Sequence, residues 1–202
     1  MRVTDPTTQS TGGGAPRVAR VVVASTRASR GIYPDRSGPI IADWLTHRGF
    51  DVVEVDVVAD GPPVGDAIRA AVYAENDLVI TTGGTGLAPT DRTPEQTRSL
   101  LDVEIPGLAD AIRSAGLPQV PTAVLSRGVA GIADRTLVIN LPGSTGGVRD
   151  GLAVLDAVLD HALDQIRGGD HPPGGPAGET AQADTTRADT TLGHVPAIGD
   201  RE

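Results

Sequence analysis

TTGGTGLAPTDRTPEQ, residues 81–96, decides the fold, because it carries an apolar strand into a helix through a glycine-rich turn. Asp77, Leu78, Val79, Ile80 and Thr81 read as the strand. Thr93 reads as a helix N-cap, Pro94 as the first helical residue and Gln96 as the closing member of a capping box. Between them Gly83, Gly84 and Gly86 permit a left-handed backbone and close approach to a ligand. Amides released by such a turn, beside a helix N-terminus, favour an anion such as phosphate. Asp91 stands at the edge of this nest, where a carboxylate can share a divalent cation with phosphates. The plainer alternative is a tight strand-to-helix connection with Asp91 as a solvated turn residue.

Two neighbouring motifs are excluded. The spacing G-x-x-x-x-G-K is absent, and all 17 basic residues are arginine, so this is not a Walker A loop. The dinucleotide pattern G-x-G-x-x-G is absent as well. A chain of 202 residues with 39% apolar content suits one domain with a sizeable core plus tails. Aromatic content is only 2%, so Val, Ile, Leu and Ala must build that core. With no cysteine, disulfides, thiolate metal sites and cysteine nucleophiles are closed. The N-terminus lacks the basic and apolar regions of a secretory signal, and no apolar run has bilayer length, so the expectation is a cytoplasmic protein without a membrane partner. A net charge of −9 argues against a nucleic-acid partner, which requires a basic footprint.

Residues 1–16 are rich in Thr, Gly and Pro, and residues 168–202 carry six acids and two arginines with almost no apolar content. Both segments are expected to be flexible, the second a disordered acidic tail, leaving residues 17–167 as the folded domain. Within it, short Val/Ile runs alternate with amphipathic segments, which predicts an α/β fold with a mostly parallel sheet in an α/β/α arrangement. Strands are predicted near 18–24, 51–57, 77–82, 121–125 and 136–141, and helices near 37–48, 64–75, 93–103, 107–115 and 145–167. In the last helix Leu152, Leu155, Leu159, Leu163 and Ile166 form a core-facing stripe, while Asp156, Asp160 and Asp164 read as a solvated face. None of the four histidines has metal-ligand spacing: His47 closes the first helix, His161 lies in the last, and His171 and His194 fall in the tail.

Ligands of open α/β sheets sit outside the carboxyl ends of the strands, so the residues after each strand are the candidates. After the first come Ser25, Thr26 and Arg27 to Gly31; after the second, Asp60 and Gly61; after the third, Thr82 with Gly83, Gly84, Thr85 and Gly86. Ser126, Arg127 and Gly128 follow the expected fourth strand, and Asn140, Pro142, Gly143 and Ser144 close the fifth. Ser144 is also a suitable N-cap for the last helix. Taken singly, each is an ordinary turn or cap residue. On one rim they make a phosphate site, with Asp60 and Asp91 as candidate Mg²⁺ ligands and Arg27, Arg30 and Arg127 as candidate charge stabilisers.

TTGGTGLAPTDRTPE, IPGLADAIRSAG, LSRGVAGI and LVINLPGS, with STRASRGIYPDRSG after the first strand, occur in an order that resembles the Mog/MoaB molybdopterin-binding proteins. The resemblance runs from about Val18 to Ile166. It implies a molybdopterin adenylyltransferase of molybdenum cofactor biosynthesis, in which the terminal phosphate of molybdopterin attacks the α-phosphate of ATP with Mg²⁺ assistance. By motif position, Asp60 and Asp91 match the essential carboxylates, also the tentative metal ligands. Ser25, Thr82, Gly83, Gly84, Thr85, Gly86, Ser126, Arg127, Asn140, Pro142, Gly143 and Ser144 match the substrate-binding set. The resemblance further implies a homotrimer and, as a partner, a molybdenum insertion protein that receives the product. Thr26 stands where many relatives have Asp, which leaves the first loop's role open. Two alternatives are a noncatalytic MoaB-like binder of pterin or protein, and a nucleotide hydrolase of the CinA type.

Overall fold

Each Val- or Ile-rich run becomes a strand because successive side chains point to opposite faces, and helices cover both faces. The computed structural model describes residues 16–117 and 119–169. The segments expected to be flexible, 1–16 and 168–202, lie outside that range except for Pro16, Gly168 and Gly169, and so do His171 and His194. Strand β1 is Arg17–Ala24, followed by α1 (Thr26–Ser29), α2 (Ser37–His47), β2 (Phe50–Val58), α3 (Pro62–Tyr73) and β3 (Leu78–Thr82). Next come α4 (Thr93–Arg98), β4 (Val103–Glu104), α5 (Pro106–Gly116), a 3₁₀ helix (Pro121–Leu125), β5 (Ala130–Ala133), β6 (Thr136–Leu141) and α6 (Thr145–Ile166).

The sheet order is β2-β1-β3-β6-β5-β4. Strands β2, β1, β3 and β6 run parallel, as expected. β5 returns antiparallel to β6, and β4 pairs antiparallel with β5. The two-fold alternation divides the core. Val21, Val23, Leu78, Ile80, Leu137 and Ile139 pack toward α2, α5 and α6, whereas Val22, Val79 and Val138 meet Val64, Ile68 and Ala71 of α3. Leu152, Leu155, Leu159 and Leu163 are buried along α6, matching the predicted stripe.

Four expectations need correction. Residues 121–125 form a 3₁₀ helix, not a strand; Pro121 opens it, and the segment stands outside the sheet with Val124 and Leu125 exposed. The strands actually present between β3 and β6 are β4 and β5, of two and four residues, too short to announce themselves. The helix expected over 93–103 stops at Arg98, because Asp102 and Ile105 donate backbone hydrogen bonds to β5 carbonyls and draw the chain into an edge strand. Thr93 is the first residue of α4, not its cap, and no side chain caps that helix. The acidic face of α6 is not simply solvated: Asp160 and Asp164 pair with Arg17, Asp156 and Asp160 with Arg48, and Asp156 also accepts from Trp44 Nε1.

Candidate functional site

β1 is flanked by β2 on one side and β3 on the other, so the loops leaving β1 and β3 part and open a crevice at the strands' carboxyl ends. A cleft of about 460 Å³ lies there, with Ser25, Tyr33, Arg36, Thr82, Gly83 and Gly143 in its lining. Ser25 is tied in place from both sides: its amide donates to the Val58 carbonyl at 2.9 Å, and its Oγ accepts from the Ala28 amide at 3.2 Å.

The glycine loop has the geometry its composition requires. Gly83 and Gly84 adopt φ of 90° and 62°. A Cβ on Gly83 would lie 2.4 Å from the Ala24 carbonyl oxygen; on Gly84 it would lie 2.3 Å from Thr93 Oγ1 and 3.0 Å from Asp60 Oδ1. Thr93 is fully buried, and its Oγ1 has no hydrogen-bond partner among the described residues. A polar atom left unpaired in such a place is costly, and it marks a cradle shaped for a polar occupant.

Asp60 is positioned by Thr26. The Thr26 amide and hydroxyl both donate to Asp60 Oδ2, at 3.0 and 2.8 Å, and the Asp60 amide donates back to Thr26 Oγ1 at 3.2 Å. Oδ1 is left facing Gly84. Asp91 approaches the same loop two residues further on, its Oδ2 2.7 Å from the place of a Cβ on Gly86. The two carboxylates thus flank one loop. Among the described residues no group of three His, Cys, Asp or Glu gathers for a metal. Two carboxylates suit Mg²⁺ that arrives with phosphates, since this ion keeps water and substrate oxygens in its shell. They do not suit a cation caged wholly by protein.

Arg127 is not a free phosphate ligand. It donates through Nε to the Gly86 carbonyl at 2.7 Å, through its terminal nitrogens to the Asp91 carbonyl and the Glu95 carboxylate, and its amide bonds the Thr85 carbonyl at 2.9 Å. It therefore clamps the loop. Burial alone would raise the Glu95 pKa, but hydrogen bonds from its own amide and from Arg127, with the charges of Arg127 and Arg92, outweigh burial and hold it below the ordinary value. Asn140 is likewise spent internally: Nδ2 donates to Thr81 Oγ1 and Thr97 Oγ1, each at 2.9 Å, and Oδ1 accepts from the Val129 amide. Thr82 donates to the Pro142 carbonyl at 2.7 Å, joining the loops after β3 and β6. Of the other candidate arginines, Arg27 stacks on Tyr33, 4.4 Å from its ring centroid, and Arg30 is exposed.

Thr85, Gly86, Ser126, Pro142 and Ser144 gather instead around a second cleft of about 220 Å³ on the other side of the loop. Ser144 caps α6 as expected, accepting from the Gly147 amide at 3.1 Å. Ser126 reaches the rim from the 3₁₀ helix rather than from a strand end, at 3.4 Å from Thr85 Oγ1. The sequence reading had missed Tyr33 and Arg36 in the larger cleft and Asp150 in the smaller one. Nothing in their local pattern distinguishes them from loop or helix-surface residues.

A glycine-rich loop at a switch-point crevice, flanked by two carboxylates, defines an α/β protein with the backbone geometry that suits an anion. More particularly, the chain belongs to the family described as "Probable molybdopterin binding domain", which matches residues 20–161 and belongs to molybdenum cofactor biosynthesis. It is 39% identical to the molybdenum cofactor biosynthesis bifunctional protein of Synechococcus elongatus over 82% of this chain, but spans only 52% of that relative. It is 38% identical to the molybdopterin adenylyltransferase of Helicobacter pylori, covering 73% of this chain and 86% of the relative. The solved Mog protein of Mycobacterium ulcerans is 65% identical and superimposes with a TM-score of 0.72, covering 74% of this chain and 99% of that one. Among the described residues no helix is long and apolar enough to cross a membrane.

Proposed function

We propose that this chain is a molybdopterin adenylyltransferase. An oxygen of the molybdopterin terminal phosphate attacks the α-phosphorus of ATP, the bond to the β-phosphate oxygen breaks, and adenylyl-molybdopterin and pyrophosphate result. The observation that carries this reading is the Gly83–Gly86 loop with Asp60 and Asp91 on its flanks, in a chain similar to proteins of that name. Asp60 and Asp91 would hold Mg²⁺, which supplies charge neutralisation at the ATP phosphates.

The chain's own part is positioning, which is most of what phosphoryl-group chemistry asks of a protein. The backbone of Gly83, Gly84, Thr85 and Gly86 receives phosphate. Ser25 and Gly143 line the larger cleft, and Ser126, Pro142 and Ser144 the smaller. Thr82, Arg127 and Asn140 act as positioning residues behind this surface, and Arg36, which lines the larger cleft and has no ion pair among the described residues, offers a cation to the anionic substrates. The domain is residues 17–167, working in the cytoplasm as a homotrimer that passes its product to a molybdenum insertion protein.

Incubation with molybdopterin and MgATP, read by mass spectrometry, should yield adenylyl-molybdopterin and pyrophosphate. Asp60→Asn and Asp91→Asn should each lower turnover by about 100-fold or more. Wild-type turnover in both variants would remove the carboxylates from the chemistry. Retained pterin binding by a wild-type protein that forms no product would leave the noncatalytic reading.

A further inference from the structure

Thr93 carries a hydroxyl that the fold itself does not use. The residue opens α4, and its main chain is spent: the amide donates to the Gly84 carbonyl at 3.1 Å, and the carbonyl accepts from Thr97 Oγ1 at 2.9 Å. A threonine at a helix start ordinarily serves as N-cap, but here Arg92 holds that position and no side chain caps the helix. Thr93 is fully buried, and among the described residues its Oγ1 has no hydrogen-bond partner. For packing alone, valine has nearly the same shape and buries no polar atom. The hydroxyl nevertheless has a neighbour of the right chemistry. The place of a Cβ on Gly84 lies 2.3 Å from Thr93 Oγ1 and 3.0 Å from Asp60 Oδ1, so the two oxygens are neighbours over one face of Gly84. Asp60 Oδ1 is the oxygen that Thr26 leaves unclaimed, since both Thr26 donors go to Oδ2.

We propose that Thr93 is a positioning residue for Asp60, its hydroxyl donating to Oδ1 once the glycine loop is loaded. The inference rests on the reading of Asp60 as a carboxylate that holds the metal, and it adds the group that aims it. A buried O–H donor gains most from an ionised acceptor, because charge-assisted hydrogen bonds are about twice as strong as neutral ones. Hydrogen bonds of a site are often long before the substrate complex forms and tighten within it. A carboxylate oxygen has two lone pairs, so Oδ1 can accept from Thr93 and still face a cation. Asp60 is then held through one oxygen by Thr26, from the loop after β1, and through the other by Thr93 of α4. That arrangement ties the order of the glycine loop to the aim of the carboxylate. Gly84 permits the approach: its φ is 62°, and a methyl there would stand against Thr93 Oγ1.

The test is the affinity for Mn²⁺, standing in for Mg²⁺, together with an ATP analogue that cannot be cleaved between the α- and β-phosphates. It is read by electron paramagnetic resonance on the full chain, beside urea unfolding of the ligand-free protein. Thr93→Val should weaken Mn²⁺ binding by roughly 10-fold while ligand-free stability is unchanged or raised. Thr93→Ser should recover most of the affinity, and Thr93→Ala, which also lacks the hydroxyl, should behave as valine does. In an Asp60→Asn background, adding Thr93→Val should bring no further loss. Wild-type affinity in both the valine and the alanine variants overturns the assignment. A loss of ligand-free stability in Thr93→Val that Thr93→Ser repairs also overturns it, by showing the hydroxyl already paired in the resting fold. So does a further loss in the double variant, because Thr93 would then act on the ligand without Asp60. Turnover of molybdopterin by the wild type, with Mn²⁺ affinity indifferent to Thr93, refutes this inference alone. A Thr93-dependent affinity in a protein that forms no adenylyl-molybdopterin refutes the adenylyltransferase reading alone.

Discussion

Thr26 shows how one residue can be uninformative as a letter and decisive as a contact. Its amide and hydroxyl converge on a single oxygen of Asp60, which fixes the carboxylate's rotamer and leaves the other oxygen to the glycine loop. Hydrogen bonds to charged groups contribute about 1.5–3 kcal/mol. Thr26→Val keeps the shape and removes the hydroxyl, so adenylylation should fall by roughly 10-fold, more in kcat than in KM for molybdopterin. Thr26→Ser should restore most of it, and steady-state kinetics on the pair would expose the idea as wrong if valine were harmless. The same scale bears on two further rim residues. Arg127 and Asn140 have side chains suited equally to a ligand and to buried backbone, and only the coordinates show that the protein itself uses their hydrogen bonds.

At the scale of elements, the phosphate loop and α4 are one unit pinned by Arg127 and Glu95. Because the Glu95 pKa is lowered in the folded protein, its contribution is fully present above the ordinary value of 4.5 and is lost as pH falls through the lower folded value. Thermal melts from pH 7 to pH 3 should therefore show a loss of stability below the ordinary carboxylate range that Glu95→Gln shares less. Equal acid sensitivity in the variant would assign that loss to other carboxylates. The strands β1, β2, β3 and β6 were legible because their apolar runs are long and β-branched. β4 and β5 were not, since two and four residues give no periodicity to read; they exist because an antiparallel neighbour supplies their hydrogen bonds. The 3₁₀ helix at Pro121–Leu125 was misread for the converse reason: an apolar run looks like a strand whether or not a sheet edge is there to receive it.

Over the whole molecule, α6 is the element that binds the fold together. Its buried leucines pack in the same cluster as β1, β3, β6, α2 and α5, and its acids hold Arg17 of β1 and Arg48 just after α2. Leu155 is completely buried there. Leu155→Ala should cost about 2–5 kcal/mol in urea unfolding with the slope unchanged. A cost under about 1 kcal/mol would mean that the cluster closes over the gap without strain.

The sequence by itself determined the parallel core, the glycine loop, the α6 cap at Ser144 and the family, because those features are written in local periodicity, backbone permissiveness and contiguous motifs. Only the tertiary structure decided which of the rim residues line the clefts. It turned Arg127 and Asn140 inward, set Thr26 behind Asp60, and brought Asp150 from a helix surface into the smaller cleft. Side-chain direction depends on contacts between segments remote in the chain, and no local pattern carries that information.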